Sequence, residues 1–386
     1  MEEEKEKVVL LKTIKRYSFL ILLILFLIII STLYKNKQFA QIEDIDFVAG
    51  VGYDINTDMD KKIYSIPVLV YDYSKSGSAE GNLLEAKGVT PVESRVNRQL
   101  HSGKKFSLGT EKAYIFSKKV SLDGLEVPLD GLMKNNQVSN SALIITTSND
   151  PKDVLSLKIP GYPTAPDYIA GLVKSLESYS YFSTKHSLFT AYIDNSTEGC
   201  KFIAPNMDII NDKLSFTSMS VFNKGRLVAS IPVTLMKYVN TLRNDKGSGI
   251  ATFSLDDNNF ITFNLVFKRK VDCTKNKDGI FNFDITIDVN GTVANNNTSI
   301  KSTSSPSEKK QLEKRLSDYM KSNLTDFIDI MKSEYKMDLL NLGHIAAAKY
   351  GRHKITNWDE EILKSSININ VNFKINRFGL GKISFN

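Results

Sequence analysis

Hydrophobic positions along this chain fall into three regimes. The first is one apolar block: no charge occurs from Tyr17 to Tyr34, and Phe19 to Ile30 is unbroken apolar. At about 1.5 Å per helical residue, these positions rise roughly 27 Å against a hydrocarbon core of about 30 Å, with a tyrosine at each end as interfacial anchor. This predicts a transmembrane anchor at 17–34 behind a tail at 1–16. A cleaved signal peptide is the rival reading, but a cut at Ala40 has Gln38 at its −3 position, with Lys35 and Lys37 intervening. No cysteine follows the run, which closes the lipoprotein route. Lys5, Lys7, Lys12, Lys15 and Arg16 precede the segment, against Lys35 and Lys37 after it, so the N-terminus is expected in the cytoplasm and the rest outside.

In the second regime, from 35 to 200, apolar clusters alternate with helical spacings. IEDIDFVAGVGYDIN and KKIYSIPVLVYDYS predict two strands forming a hairpin, and SGSAEGNLL reads as a loop. Val92, Val96 and Leu100 recur at helical spacing behind a Thr90 cap with Pro91 at the first helical position. Ala113–Phe116 and Ala142–Ile145 predict short buried strands with a helical LEVPLDGLMKN between them. PKDVLSL starts another helix, Tyr168, Ile169, Leu172, Val173 and Leu176 mark an amphipathic one, and SLFTAYIDNS returns to strand.

The third regime is alternation. KLSFTSMSVFNKGRLVASIPV predicts a hairpin with Asn223, Lys224 and Gly225 at its tip, and ATFSLDDNNFITFNLVFKRKV another turning at Asp257–Asn259. Phe281–Val289 adds a strand ending at Asn290 and Gly291. Ser305, Pro306 and Glu308 form a capping box, and Leu312, Leu316, Met320, Leu324, Phe327, Ile328 and Met331 trace one face of a long helix expected to cover that sheet. Asn357 with Glu360 opens a short helix around Trp358, and Ile367, Ile369, Val371, Phe373 and Ile375 alternate as a closing strand. The fold class is therefore α+β: one transmembrane helix, a mixed α/β region at 35–200 with room for a further split, and at 212–386 an antiparallel sheet under a long helix.

Composition excludes more than it assigns. Two cysteines, Cys200 and Cys273, cannot make a disulfide-built scaffold and leave a single bridge open. The net charge of +7 comes without a basic block beyond pairs and triplets, which reads as a solvated surface, with contact to anionic headgroups or wall polymers the weaker reading. A Walker lysine motif and a dinucleotide fingerprint are both missing from the sequence. His101, His186, His344 and His353 are scattered, only the last two being close in sequence, and no His-x-x-x-His or Cys-x-x-Cys spacing occurs, so no metal is expected. SGSAEG and DKGSGI imitate a serine-nucleophile turn inside polar linkers. The carboxylate pairs Asp256–Asp257 and Glu360–Glu361 are adjacent residues that point apart, unlike a glycosidase pair. Trp358 reads as a core plug, and the sequons at Asn195, Asn296, Asn297 and Asn323 carry meaning only in a eukaryotic secretory pathway. No catalytic, cofactor-binding or metal residue is expected, and a ligand-binding set is not assignable.

Several phrases nevertheless resemble the C-subunit family of bacterial spore nutrient germinant receptors. They are LHSGKKFSLGTEKAYIFSKKVSLDGLEVPLDGLMKNNQVSNSALIITTSNDPKDVL, SMSVFNKGRLVASIP, EYKMDLLNLGHIAAAKY, NWDEEIL and INRFGLG, and the likeness runs from about Ile42 to Gly379. The family's lipobox cysteine and following Trp-Asp dipeptide have no counterpart near Tyr34, so the apolar helix would replace a lipid anchor. The resemblance implies a non-catalytic receptor component at the spore inner membrane, beside two integral-membrane subunits, with the small-molecule germinant bound by those partners and no nucleic acid involved. A membrane-tethered cell-wall enzyme and a sporulation scaffold are the alternative readings.

Overall fold

The structure is a computed structural model that describes residues 2–35, 41–58, 61–73, 80–179, 186–297 and 305–377. It comprises two compact units, 1–45 and 46–386. The first unit is dominated by helix α1 (Glu2–Lys35), whose segment Lys15–Thr32 has a mean hydropathy of 2.0 and is long and apolar enough to cross a membrane. Lys37, Gln38 and Ala40 lie outside the described residues.

The second unit carries two sheets. A hairpin of β1 (Ile45–Asp58) and β2 (Lys61–Asp72) is extended by β3 (Glu80–Gly88), antiparallel to β2. α2 (Pro91–Gln99) follows, then the short β4 (Lys105–Ser107) beside β1. β5 (Ala113–Ser117), α3 (Lys118–Asp123), α4 (Glu126–Met133) and β6 (Leu143–Thr147) continue the sheet in parallel with β1. α5 (Pro151–Ser156), α6 (Ala165–Tyr179) and α7 (Leu188–Ser196) lead to β7 (Phe202–Ile210), after which β8 (Lys213–Asn223) and β9 (Arg226–Pro232) complete the order β3-β2-β1-β5-β6-β7-β8-β9. All five residues of β5 are buried, as expected for a strand covered on both faces. Two apolar cores result: Tyr53, Phe116, Leu125, Phe202 and Phe222 fill one. The other runs from Ile115 and Ile169 through Val239 to Phe263, Ile285 and Phe327, so it joins the first sheet to the second.

The second sheet begins after α8 (Val233–Arg243) with the antiparallel strands β10 (Lys246–Ser254), β11 (Phe260–Lys275) and β12 (Phe281–Asn296). α9 (Pro306–Ile330), a π-turn at Met331–Tyr335, α10 (Leu342–Tyr350) and α11 (Trp358–Lys364) then precede β13 (Ser366–Arg377). The capping box at Ser305 and Glu308 starts α9. Its Ser317 and Glu313 side chains accept from the Phe373 and Ile375 N–H groups at 3.1 and 2.8 Å, so the helix covers the free edge of β13.

Several expectations are corrected by the packing. β13 runs parallel to β12, so the second sheet is mixed rather than purely antiparallel, because α9 to α11 form a crossover. Residues 80–84, read as loop, begin β3; the preceding SGSA lies outside the described residues. SLFTAYIDNS is α7, not a strand: Ser187 accepts from Thr190 N–H as N-cap, and Leu188 and Ala191 turn inward at helical spacing. β12 continues past Asn290 and Gly291 to Asn296, since Gly291 supplies the room that Phe263 and Phe373 need: a Cβ there would stand 2.9 and 3.0 Å from their rings. DKGSGI enters β10 rather than a linker. The hairpin β8–β9 turns at Lys224 and Gly225, both left-handed, and continues the first sheet. Cys200 and Cys273 are both free thiols, so no bridge joins them.

α2 inverts the usual rule. Thr90 caps it through Glu93 N–H, but the buried residues are Ser94, bonded to Ala86 O at 2.8 Å, and Arg98, bonded to Ile66 O at 3.2 Å with its guanidinium 5.2 Å from the Phe106 ring centre. Val92, Val96 and Leu100, whose spacing announces the helix, all face out.

Candidate functional site

A recess of about 1190 Å³ opens between the first sheet and the loop leading into α11. Its walls come from α4, the link Thr197–Lys201 between α7 and β7, the β8–β9 tip and residues 353–359. The hairpin tip is held there by two hydrogen bonds. Gly225 N–H donates to Asn195 Oδ1 at 3.0 Å, and Leu125 N–H donates to Gly225 O at 2.8 Å.

Trp358 is buried as a core plug, with its ring centre 5.8 Å from that of Phe281. Its indole N–H reaches the recess wall and donates to Glu198 Oε1 at 2.8 Å. The other carboxylate oxygen accepts from His353 N–H at 2.8 Å. These two bonds, the one from His353 foremost, hold the Glu198 carboxyl below its ordinary pKa.

Behind the wall lies a network of buried charges that ties the two sheets together. The Lys201 ammonium pairs with Asp359 Oδ1, and that oxygen also accepts from Asp338 N–H at 2.8 Å. Asp338 accepts from Leu340 and Gly343 N–H groups at 2.9 and 2.8 Å, while burial pushes its pKa up. Arg243, at the end of α8, donates to Leu339 O at 3.1 Å, to Asn341 Oδ1 at 2.8 Å and to Lys201 O, with Asp194 at 3.6 Å. The loop that delivers Asp338 and Asn341 is formed by left-handed backbone at Lys336 (φ 52°) and Asn341 (φ 57°). Sequence reasoning missed Lys201, Arg243, Asp338 and Asp359. The available signal was a charge inside an apolar run, as at Asp338 between Met337 and Leu339.

A smaller cavity of about 380 Å³ adjoins the network and is lined by His186, Cys200, Arg243, Arg269 and His344 among others. Burial pushes His186 down to about 4, so the ring is neutral at pH 7, and its Nδ1–H donates to Ile203 O at 2.8 Å. Burial likewise pushes the Cys200 thiol up to about 12, which keeps it protonated and unreactive.

The structure separates the two histidines that sequence proximity paired: His344 lines the smaller cavity, whereas His353 is exposed on the rim of the larger recess. Asp256 accepts from Asn258 and Asn259 to close the β10–β11 turn. Glu360 contacts Asn357 and Glu361 contacts Lys364, both on the surface of α11. Among the described residues no group of three or more His, Cys, Asp or Glu side chains is placed to hold a metal. Chemically, the arrangement is a clasp of matched charges beside an open recess.

Comparison with known proteins gives this fold a family. Residues 38–209 match the spore germination protein N-terminal domain, and residues 217–379 match the spore germination B3/GerAC-like C-terminal domain. The spore germination protein GerQC of Bacillus cereus is 21% identical over 363 residues, covering 92% of this chain and 98% of that protein. The crystal structure of the GerBC protein superposes with a TM-score of 0.53 at 15% identity, covering 84% of this chain and 97% of that one, which shows a shared fold. With both halves of its second unit matched in order, the chain belongs to the C-subunit family of spore germinant receptors.

Proposed function

We propose that this chain is a membrane-tethered, non-catalytic subunit of a spore germinant receptor, acting in nutrient-triggered germination. The observation that carries the reading is the match of both family domains, in order, directly after an apolar helix long enough to span a bilayer. The helix would stand where relatives use a lipid anchor, placing the second unit outside the cytoplasm at the spore inner membrane. Tethering raises the effective concentration of the second unit near integral-membrane partners, so modest interfaces suffice to assemble a hetero-complex. In this reading two such partners complete the receptor and take the germinant.

The test is a clean deletion of the gene, followed by nutrient-triggered germination and by a receptor-independent trigger as control. Selective loss of the nutrient response, restored by the full chain but not by a chain lacking residues 15–32, supports the proposal. Normal nutrient germination in a strain stripped of sister receptors sinks it, and a defect in wall structure points instead to a wall enzyme or a scaffold.

A further inference from the structure

We propose that the outward face of α2 is a lipid-docking surface that seats the second unit on an anionic bilayer. This rests on the membrane-tether reading above and adds to it a second point of contact. Val89, Val92, Val96 and Leu100 are 49, 64, 55 and 76% exposed, and the last three share one helical face. Such a stripe normally marks the face that packs inward, yet here the inward face is polar Ser94 and Arg98.

Charge selects the occupant. Arg95, within α2, and Lys104 and Lys105, just after it, are all exposed, against one carboxylate on the helix, Glu93, which accepts from Val89 N–H at 2.8 Å. An exposed apolar stripe edged by cations is the composition of a helix lying in a headgroup layer, and each basic side chain near an anionic leaflet strengthens association about five-fold. The turn after α2 is tied back to the helix and to β1: Gln99 Nε2 donates to Lys104 O at 2.9 Å, and Lys104 Nζ lies 3.8 Å from Asp46 Oδ1.

The test uses the full chain in lipid discs of phosphatidylcholine with phosphatidylglycerol, and brominated acyl chains as quencher. Tryptophan is introduced at Leu100→Trp, at Val96→Trp as a second probe, and at Val266→Trp on β11, a control as exposed as Val96. The signal of buried Trp358, measured in the parent chain, is subtracted. The expected result is at least about two-fold quenching at 96 and 100 with little at 266, lost when phosphatidylglycerol is omitted or when Lys104→Glu and Lys105→Glu are combined. Equal quenching at 100 and 266 in a chain that has entered the discs overturns the docking surface and leaves the tether intact. A chain that never enters the discs sinks the tether reading, and this one with it.

Discussion

Removing the charge of Asp359 tests whether the clasp holds the two sheets together. In Asp359→Asn the side-chain oxygen that accepts from Asp338 N–H is kept, so the change isolates the loss of countercharge for Lys201. The Lys201 side chain is only 7% exposed. Stripping one partner from a buried pair costs about 3–5 kcal/mol, because the other charge stays desolvated. Asp359 is 22% exposed and Asp338 also lies close enough to Lys201 to interact with it, which places the expected loss at the lower end, about 3 kcal/mol. For a unit of this size that corresponds to a fall of roughly 6 °C in Tm. The assay is urea and thermal unfolding followed by Trp358 fluorescence, since the indole is buried next to the substituted residue. Adding Lys201→Met removes the stranded ammonium, so the double variant should recover to within about 1 kcal/mol of the parent. A single variant within about 1 kcal/mol of the parent, or a double variant as unstable as the two singles summed, refutes the clasp.

Other consequences follow from the same geometry. His186 carries a depressed pKa, so the unfolded chain binds a proton near pH 6.5 that the folded chain refuses until about pH 4. Its contribution is therefore complete above pH 6.5 and falls away by up to about 3 kcal/mol as pH drops to 4; His186→Asn, which keeps a donor for Ile203 O, should flatten the urea midpoint across that window, and an unchanged slope refutes the assignment. Gly199 has φ +70° and a Cβ there would lie 2.4 Å from His344 N, so Gly199→Ala should cost about 2 kcal/mol or more in urea unfolding, whereas a change below about 0.5 kcal/mol contradicts the close approach. Ser305→Ala should remove about 1 kcal/mol through the lost capping box, read as a lower urea midpoint, and an unmoved midpoint contradicts the cap. Alkylation under denaturing conditions without reductant should add two labels by intact mass, and a chain that takes them only after reduction refutes the free thiols.

Local signals were legible where one short stretch carries the whole cause. The capping box of α9, the hairpin tip at Lys224 and Gly225, and the alternation of β13 are each specified within a few residues, and each appears in the structure. Ambiguity arises where two periods compete over a short run. In SLFTAYIDNS the apolar residues fit either period, and the Ser187 cap together with the inward turn of Leu188 and Ala191 favours the helix. Gly291 reads as a turn residue in one dimension, and only the rings of Phe263 and Phe373 show that it is a packing residue.

The sequence by itself determined that the chain has one membrane-length apolar segment, mixed α and β elements of mostly known position, and the phrases of a germinant receptor subunit. Those features reside in composition, spacing and short-range hydrogen bonding, which the chain carries whatever its neighbours. Tertiary structure alone decided that Lys201, Arg243, Asp338 and Asp359 form one network, because their positions run from 201 to 359 and meet only when the link before β7, the end of α8, the loop before α10 and the start of α11 converge. It also decided which face of α2 is buried. β3 and β2 offer Ser94 and Arg98 the backbone carbonyls of Ala86 and Ile66 to bond, and the polar face that takes those bonds leaves the apolar stripe turned to the solvent.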